Sequence, residues 1–308
     1  MGSRGTPLIS LLAASPALYV LACLLLGLIV GSFLNVVIHR VPIMLERQWR
    51  AQCAELAQGD HDATVPATLA VAERFDLVVP RSACPHCKAP ITALQNIPIV
   101  SYVALGGRCA RCRKRISPRY PLVEALTGAL SAAVAWKLGF GWPAAAALVL
   151  TWFLVALAFI DIDHHLLPDS LTLPLLWLGL VLSLFGPAAA GEPIPVALRS
   201  SVIGAAAGYV SLWSVYHLFR LLTAKEGMGY GDFKLLAALG AWLGWRMLLP
   251  TVLVAAAVGA VVGIAVLAAK RQSRATPIAF GPFLAAAGWL MLMFGHELVT
   301  SYLGLFRG

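Results

Sequence analysis

Apolar residues in this chain fall in long unbroken runs divided by short polar breaks. The first run, free of Asp, Glu, Lys and Arg, extends from Gly5 to Ile38, and others cover residues 121–139, 143–160, 171–187, 199–222, 233–249, 250–269 and 279–303. Most are near the ~20 residues an α-helix needs to cross a hydrocarbon core about 30 Å thick. Transmembrane strands would instead show alternating segments of about ten residues. The runs therefore predict eight membrane helices. A secretory signal has an apolar region of only ~7–15 residues, so the first run is expected to remain as a helix. One long polar segment, residues 39–120, interrupts the pattern.

Composition agrees with that reading. Of the 308 residues, 60% are hydrophobic and 12% charged, with mean hydropathy +0.82, whereas soluble domains are about half apolar and a quarter charged. This excludes a disordered chain and a small disulfide scaffold. The expected fold is an all-α polytopic membrane protein: a first helix over 1–38, an insert over 39–120 and seven more helices over 121–308.

Lys and Arg accumulate on the cytoplasmic side of membrane proteins. Residues 39–120 carry 12 of them against 6 acidic residues, while the N-terminal tail offers only Arg4. Counting spans from a cytoplasmic insert places 18 of the 23 basic residues inside and leaves Arg4, Lys137, Arg199, Arg246 and Arg307 outside. This accounts for the net charge of +9 through contact with anionic lipid headgroups. No nucleic-acid module is readable in the insert, and no nucleic-acid partner is expected.

Within the insert, Cys84, Cys87, Cys109 and Cys112 form two C-x2-C pairs separated by 21 residues, a spacing close to that of four-thiolate zinc ribbons. Lys88, Arg111, Arg113 and Lys114 would offset the charge of four thiolates. Redox disulfides are the competing reading, but they are rare in a reducing compartment. The expected metal is a structural zinc, since four protein ligands leave no position for a reacting water. Cys23 reads as a small buried hydrophobe and Cys53 has no nearby partner.

Small residues recur four apart at Gly27/Gly31, Gly204/Gly208, Gly240/Gly244 and Gly259/Gly263, which suits close helix approach in lipid. The first pair continues through Asn35 on the same face, and that amide needs a partner.

Only eight acids lie outside the insert. Two groupings stand out, Asp161-Ile162-Asp163-His164-His165-Leu166-Leu167-Pro168-Asp169 and Gly227-Met228-Gly229-Tyr230-Gly231-Asp232, and both are expected on the cytoplasmic side. Two carboxyl groups that approach each other at a membrane edge cannot easily both ionise, so one proton is shared, as in aspartic proteases. Asp161 directly follows an apolar run and is the most embedded of its three aspartates. Asp163 reads as solvated and Asp169, after Pro168, as a helix N-cap. Gly229 and Gly231 leave backbone open beside Asp232. Glu124 is expected at the membrane interface, where it could support the site, and Glu226 beside Lys225 reads as a local ion pair. His164 and His165 lack the i, i+4 spacing of a helical metal pair, and there is no G-x-S-x-G elbow. A transporter is the alternative from another class, but it predicts acids near the bilayer midplane rather than gathered at one edge. A zinc-ribbon scaffold without catalysis would leave the glycine-flanked Asp232 unexplained.

These residues closely resemble the bacterial type IV prepilin peptidases, which are leader peptidases and N-methyltransferases. The resemblance covers nearly the whole chain: Gly31 through Arg40, both C-x2-C pairs, Arg119-Tyr120-Pro121-Leu122-Val123-Glu124, Asp161 through Asp169, and the G-x-G-D signature Gly229-Tyr230-Gly231-Asp232. It implies that Asp161 and Asp232 are the catalytic pair. It further implies cleavage of the basic leader of prepilins and type II secretion pseudopilins on the cytoplasmic face of the inner membrane, after Gly and usually before Phe. Methylation of the new terminal amine from S-adenosylmethionine would follow. No G-x-G-x-x-G follows a strand here, so the methyl-donor site is not legible from a motif. The resemblance points to the N-terminal part, with Gly31 and Asn35 as candidates that helix packing explains equally well.

The charge distribution generates a topology prediction. Single cysteines at 163 and 229, on a background without native cysteines, should resist an impermeant thiol reagent in intact spheroplasts and react once the membrane is opened. Labelling in intact spheroplasts would invert the orientation.

Overall fold

The computed structural model of the chain describes residues 7–58, 74–92, 94–186, 193–225, 228–270 and 279–304. Among them the secondary structure is helical, with two isolated β-bridges and no extended strand. In chain order the helices are α1 (Pro7–Ala14), α2 (Pro16–Gln58), α3 (Val100–Ala104), α4 (Arg119–Leu138), α5 (Trp142–His164), α6 (Asp169–Ser183), α7 (Leu198–Thr223), α8 (Tyr230–Leu243), α9 (Leu248–Lys270) and α10 (Gly281–Gly304). Two compact units result, one of residues 28–126 and one of 1–27 with 127–308.

Each predicted run holds a helix. Five segments are long and apolar enough to cross a membrane: Pro16–Leu56, Trp142–His164, Leu198–Thr223, Trp245–Val266 and Gly281–Ser301. The other three runs fall short for physical reasons. α4 carries Arg119, Glu124 and Lys137, while α6 and α8 have only 15 and 14 residues.

Boundaries differ from the expectation at three places. The first run is two helices, because Pro16 cannot donate into a preceding turn and Ser15 Oγ accepts from Leu18 N–H at 3.4 Å as a new helix starts. α2 does not stop at the end of the charge-free run. It continues through Pro42 to Gln58, since residues 43–58 are mostly good helix formers, helped by an ion pair between Glu46 and Arg50 at 2.5 Å. Between the sixth and seventh runs the break falls at Gly244 rather than after residue 249. Gly244 takes φ 80°, a conformation that suits glycine.

In the unit of 28–126, Arg40 on α2 is only 7% exposed. Its guanidinium donates to the carbonyls of Asp76 at 2.8 Å and Pro80 at 2.5 Å, and Arg47 stacks 4.2 Å from the centre of the Phe75 ring. This buried guanidinium pins the 74–80 segment against the helix.

In the larger unit the core forms around α8, which packs against α6, α7, α9 and α10. Every residue from Leu235 to Leu243 is buried, so this helix is surrounded by protein on all faces despite its short length. α7 approaches it to backbone contact: a Cβ on Gly204 would meet the Gly240 carbonyl, and one on Gly208 would lie 2.6 Å from the Leu236 oxygen. Ser201 Oγ donates to Ala241 O at 2.6 Å, and Trp242 Nε1 donates to Leu175 O at 2.8 Å over Gly179. The packing expected of Gly204, Gly208 and Gly240 is therefore present, and Gly259 meets the Phe283 ring. Gly27 packs on Ser131.

Gly240→Ala should accordingly lower stability by about 1–3 kcal/mol through overpacking against backbone that cannot yield. Thermal unfolding of the detergent-solubilised protein reads the effect, and an unchanged transition would show that the α7–α8 crossing tolerates separation.

Candidate active site

Asp161 lies in the last turn of α5, and His165, in the left-handed conformation at φ 50°, closes that helix by donating its N–H to Asp161 O at 2.9 Å. Asp232 lies in the first turn of α8. The two side chains are 6% and 7% exposed and lie within electrostatic reach of one another. Leu167, in the link between α5 and α6, fills the space beside both. A Cβ on Gly231 would lie 2.6 Å from Leu167 Cβ, and one on Gly281 would lie 3.1 Å from Leu167 Cδ1 and 2.6 Å from Asp161 Oδ2.

The aspartates are bonded unequally. Asp161 Oδ2 accepts the Gly281 N–H at 3.0 Å. Asp232 Oδ1 has no hydrogen-bond partner, the one such buried side-chain oxygen or nitrogen among the described residues. An unmet buried acceptor costs about 1–3 kcal/mol. A fold that keeps one beside a second carboxyl group has a place for a shared proton and a polarised water.

Asp163, His164 and His165 are exposed. Asp169 is not the N-cap of α6: Pro168 occupies that position and no side chain caps the helix. The proline's extended backbone sets the helix start, and the freed carboxylate pairs with Lys234 Nζ at 2.6 and 2.7 Å. Two helix starts are thereby tied together, α6 to α8. Lys225 is described but Glu226 lies outside the described residues, as does their expected ion pair.

Glu124 is buried in the 28–126 unit and accepts the Ile99 N–H at 2.8 Å. Ile99 has φ 59° and ψ −49°, with Val100 N–H donating to Pro98 O at 2.5 Å, a tight turn that a β-branched residue adopts only under strain. Glu124 holds that turn. Gly31 is buried, and the Asn35 amide donates to Tyr120 O at 3.1 Å, so the amide finds its partner on α4.

All four insert cysteines are unpaired by disulfide, and their sulfurs lie within 4.8 Å of one another. Cys84 and Cys112 sulfurs are 3.8 Å apart and those of Cys87 and Cys109 4.0 Å. Zn–S bonds of about 2.3 Å in a tetrahedron give S···S separations of about 3.8 Å, whereas a disulfide needs about 2.05 Å. The donor set therefore fits zinc. The two C-x2-C turns are copies 25 positions apart. In the first, Cys84 N–H donates to Ala89 O and Lys88 N–H to Cys84 O; in the second, Cys109 N–H donates to Lys114 O and Arg113 N–H to Cys109 O, all at 2.9–3.0 Å. Lys88 and Arg113 take φ 57° and 59°. Backbone N–H groups of Cys87 and His86 pull the Cys84 thiol down to about 6, and those of Cys112 and Arg111 pull Cys109 down likewise.

Sequence reading missed Gly281, Leu167 and Lys234. Phe280-Gly281-Pro282 does mark a helix start, but nothing in one sequence says which side chain meets it.

Residues 25–138 match the family described as Bacterial Peptidase A24 N-terminal domain, and residues 148–264 match the Type IV leader peptidase family. Proteins named prepilin leader peptidase/N-methyltransferase from Stutzerimonas stutzeri, Pseudomonas aeruginosa and Aeromonas hydrophila are each 52% identical to the chain. The alignments cover 97%, 96% and 96% of this chain and 99%, 98% and 98% of those proteins. No solved structure matches.

The purified protein should contain one zinc per chain by elemental analysis. Lys88→Val should reduce zinc content and lower the thermal transition, because a β-branched residue is strained at positive φ, while Lys88→Gly should retain both. Disulfides in metal-free protein purified without chelator would exclude the site.

Proposed function

Because the chain belongs to the type IV leader peptidase family, we propose that it cleaves the basic leader of prepilins and type II secretion pseudopilins and methylates the amine so released. Cleavage falls after Gly and usually before Phe, at the cytoplasmic face of the bacterial inner membrane. The enzyme is an aspartic endopeptidase with Asp161 and Asp232 as its catalytic residues. The observation that carries this is the partnerless Asp232 Oδ1 beside Asp161. One carboxylate takes a proton from water as the oxygen attacks the scissile carbonyl, and the other, protonated, donates to the developing oxyanion. Gly229, where a Cβ would meet nothing closer than 3.9 Å, lets an extended backbone come close to Asp232, whereas the space at Gly231 is taken by Leu167. A proton then passes to the leaving amine and the pair returns to its shared-proton state.

S-adenosylmethionine, when bound, supplies the methyl group. We place its site in the 28–126 unit, where the 31–40 segment includes Gly31 and Asn35. In the same unit Tyr102, Gly107, Arg108 and Arg115 line a cavity of about 620 Å³, wide enough for a nucleoside-sized ligand and able to offer guanidinium groups to a carboxylate. Cys84, Cys87, Cys109 and Cys112 hold a zinc that fixes the insert and takes no part in hydrolysis. The basic loops meet anionic lipid. A transporter reading finds no support: the acids it would need along a path are instead the two at one end of α5 and α8.

Asp161→Asn and Asp232→Asn should each abolish leader cleavage, since an amide keeps the shape but cannot exchange the proton. Both variants should still methylate a pre-cleaved pilin. Asp163→Asn should remain active. Asp169→Asn should as well, because an exposed ion pair contributes at most about 1 kcal/mol. Product masses after incubation with a prepilin and S-adenosylmethionine report both steps. An inactive Asp163→Asn with an active Asp161→Asn would shift the pair, and normal cleavage by every variant would end the aspartyl mechanism.

A further inference from the structure

We propose that Gly281 is a positioning residue of the peptidase, whose backbone N–H holds Asp161 Oδ2 and whose missing side chain leaves room for that carboxylate and Leu167 to meet. The proposal rests on the reading of Asp161 as half of the catalytic pair. Gly281 is the first residue of α10 and is buried. The first N–H groups of a helix have no partner within it. Here Pro282 has none to offer, while Phe283 and Leu284 both donate to Phe280 O at 3.1 Å. The Gly281 N–H is therefore the outward donor of this turn, and it ends on Asp161 Oδ2 at 3.0 Å. A helix N-terminus also favours negative charge.

The space is as specific as the bond. A Cβ at 281 would lie 2.6 Å from Asp161 Oδ2, 3.1 Å from Asp161 Cγ and 3.1 Å from Leu167 Cδ1. The same leucine presses on Gly231, the residue before Asp232. Leu167 thus works as a spacer between two helix starts, with Gly231 under one side and Gly281 under the other. The carboxylate on α5 is held from α10, and the one on α8 is set through its neighbour's contact with that spacer. Any side chain at 281 pushes Asp161 off its donor while leaving Gly229, which precedes α8, in place.

The test compares full-length wild type, Gly281→Ala and Gly281→Ala with Leu167→Ala, using Leu167→Ala alone as reference. Prepilin cleavage is resolved into kcat and KM, and methyl transfer is measured on pre-cleaved pilin. Displacing a reacting group by about 1 Å costs about 100-fold, so Gly281→Ala should lose about 100-fold in kcat with KM and methyl transfer close to wild type. The double variant removes the leucine clash and leaves only the flexible end of Asp161 to yield. It should therefore fold, methylate and remain slow. Wild-type kcat in Gly281→Ala, recovery of the double variant to the Leu167→Ala level, or loss of both activities in the double variant would each overturn the proposal. Cleavage by Asp161→Asn would instead remove the reading on which it rests.

Discussion

Two carboxyl groups kept out of water at helix ends are the constraint on which the larger unit depends. Burying such groups is unfavourable unless neighbours stabilise them, and here the two are served unequally. Asp161 takes its donor from the start of α10, whereas Asp232 keeps an oxygen without one. A soft framework would relax until that oxygen found a partner. This framework resists because α8 is enclosed on every face and its backbone meets that of α7 at Gly204, Gly208 and Gly240. The same rigidity explains how a 14-residue helix holds its place among longer ones.

What was legible in the sequence follows from what each signal encodes. Long apolar runs report helices directly, and every one contains a helix. Caps and breaks are set by single residues, so Pro16, Pro42 and Gly244 were harder to weigh: one starts a helix, one is tolerated inside a helix, and one ends a helix by taking positive φ. The four cysteines were readable because metal ligation needs fixed spacing. Asp161 and Asp232 stood out by isolation among apolar neighbours and by the resemblance they carry. Asp169 did not, because a carboxylate after proline reads as a cap and its true partner, Lys234, is 65 positions away. Gly281 was invisible for a similar reason. Its role is a meeting between elements 120 residues apart, and one sequence records neither distance nor contact.

The two units solve different problems with different means. In the larger one, small residues let helices touch and a few hydrogen bonds cross between them. In the 28–126 unit, long polar side chains reach backbone: Arg40 to the carbonyls of Asp76 and Pro80, and Glu124 to the N–H of Ile99. A segment with little regular structure has many peptide groups to satisfy, and buried charged residues supply strong partners for them.

The paired cysteine turns carry a further consequence. Each C-x2-C loop closes on itself through its own backbone bonds, and the backbone N–H groups of each loop lower the proton affinity of its leading thiol. A metal held there would be the joint between two finished halves rather than the nucleus around which they form. Loss of the ion would separate the halves but leave each one shaped to receive it, so reloading becomes an encounter of preorganised surfaces instead of a refolding event.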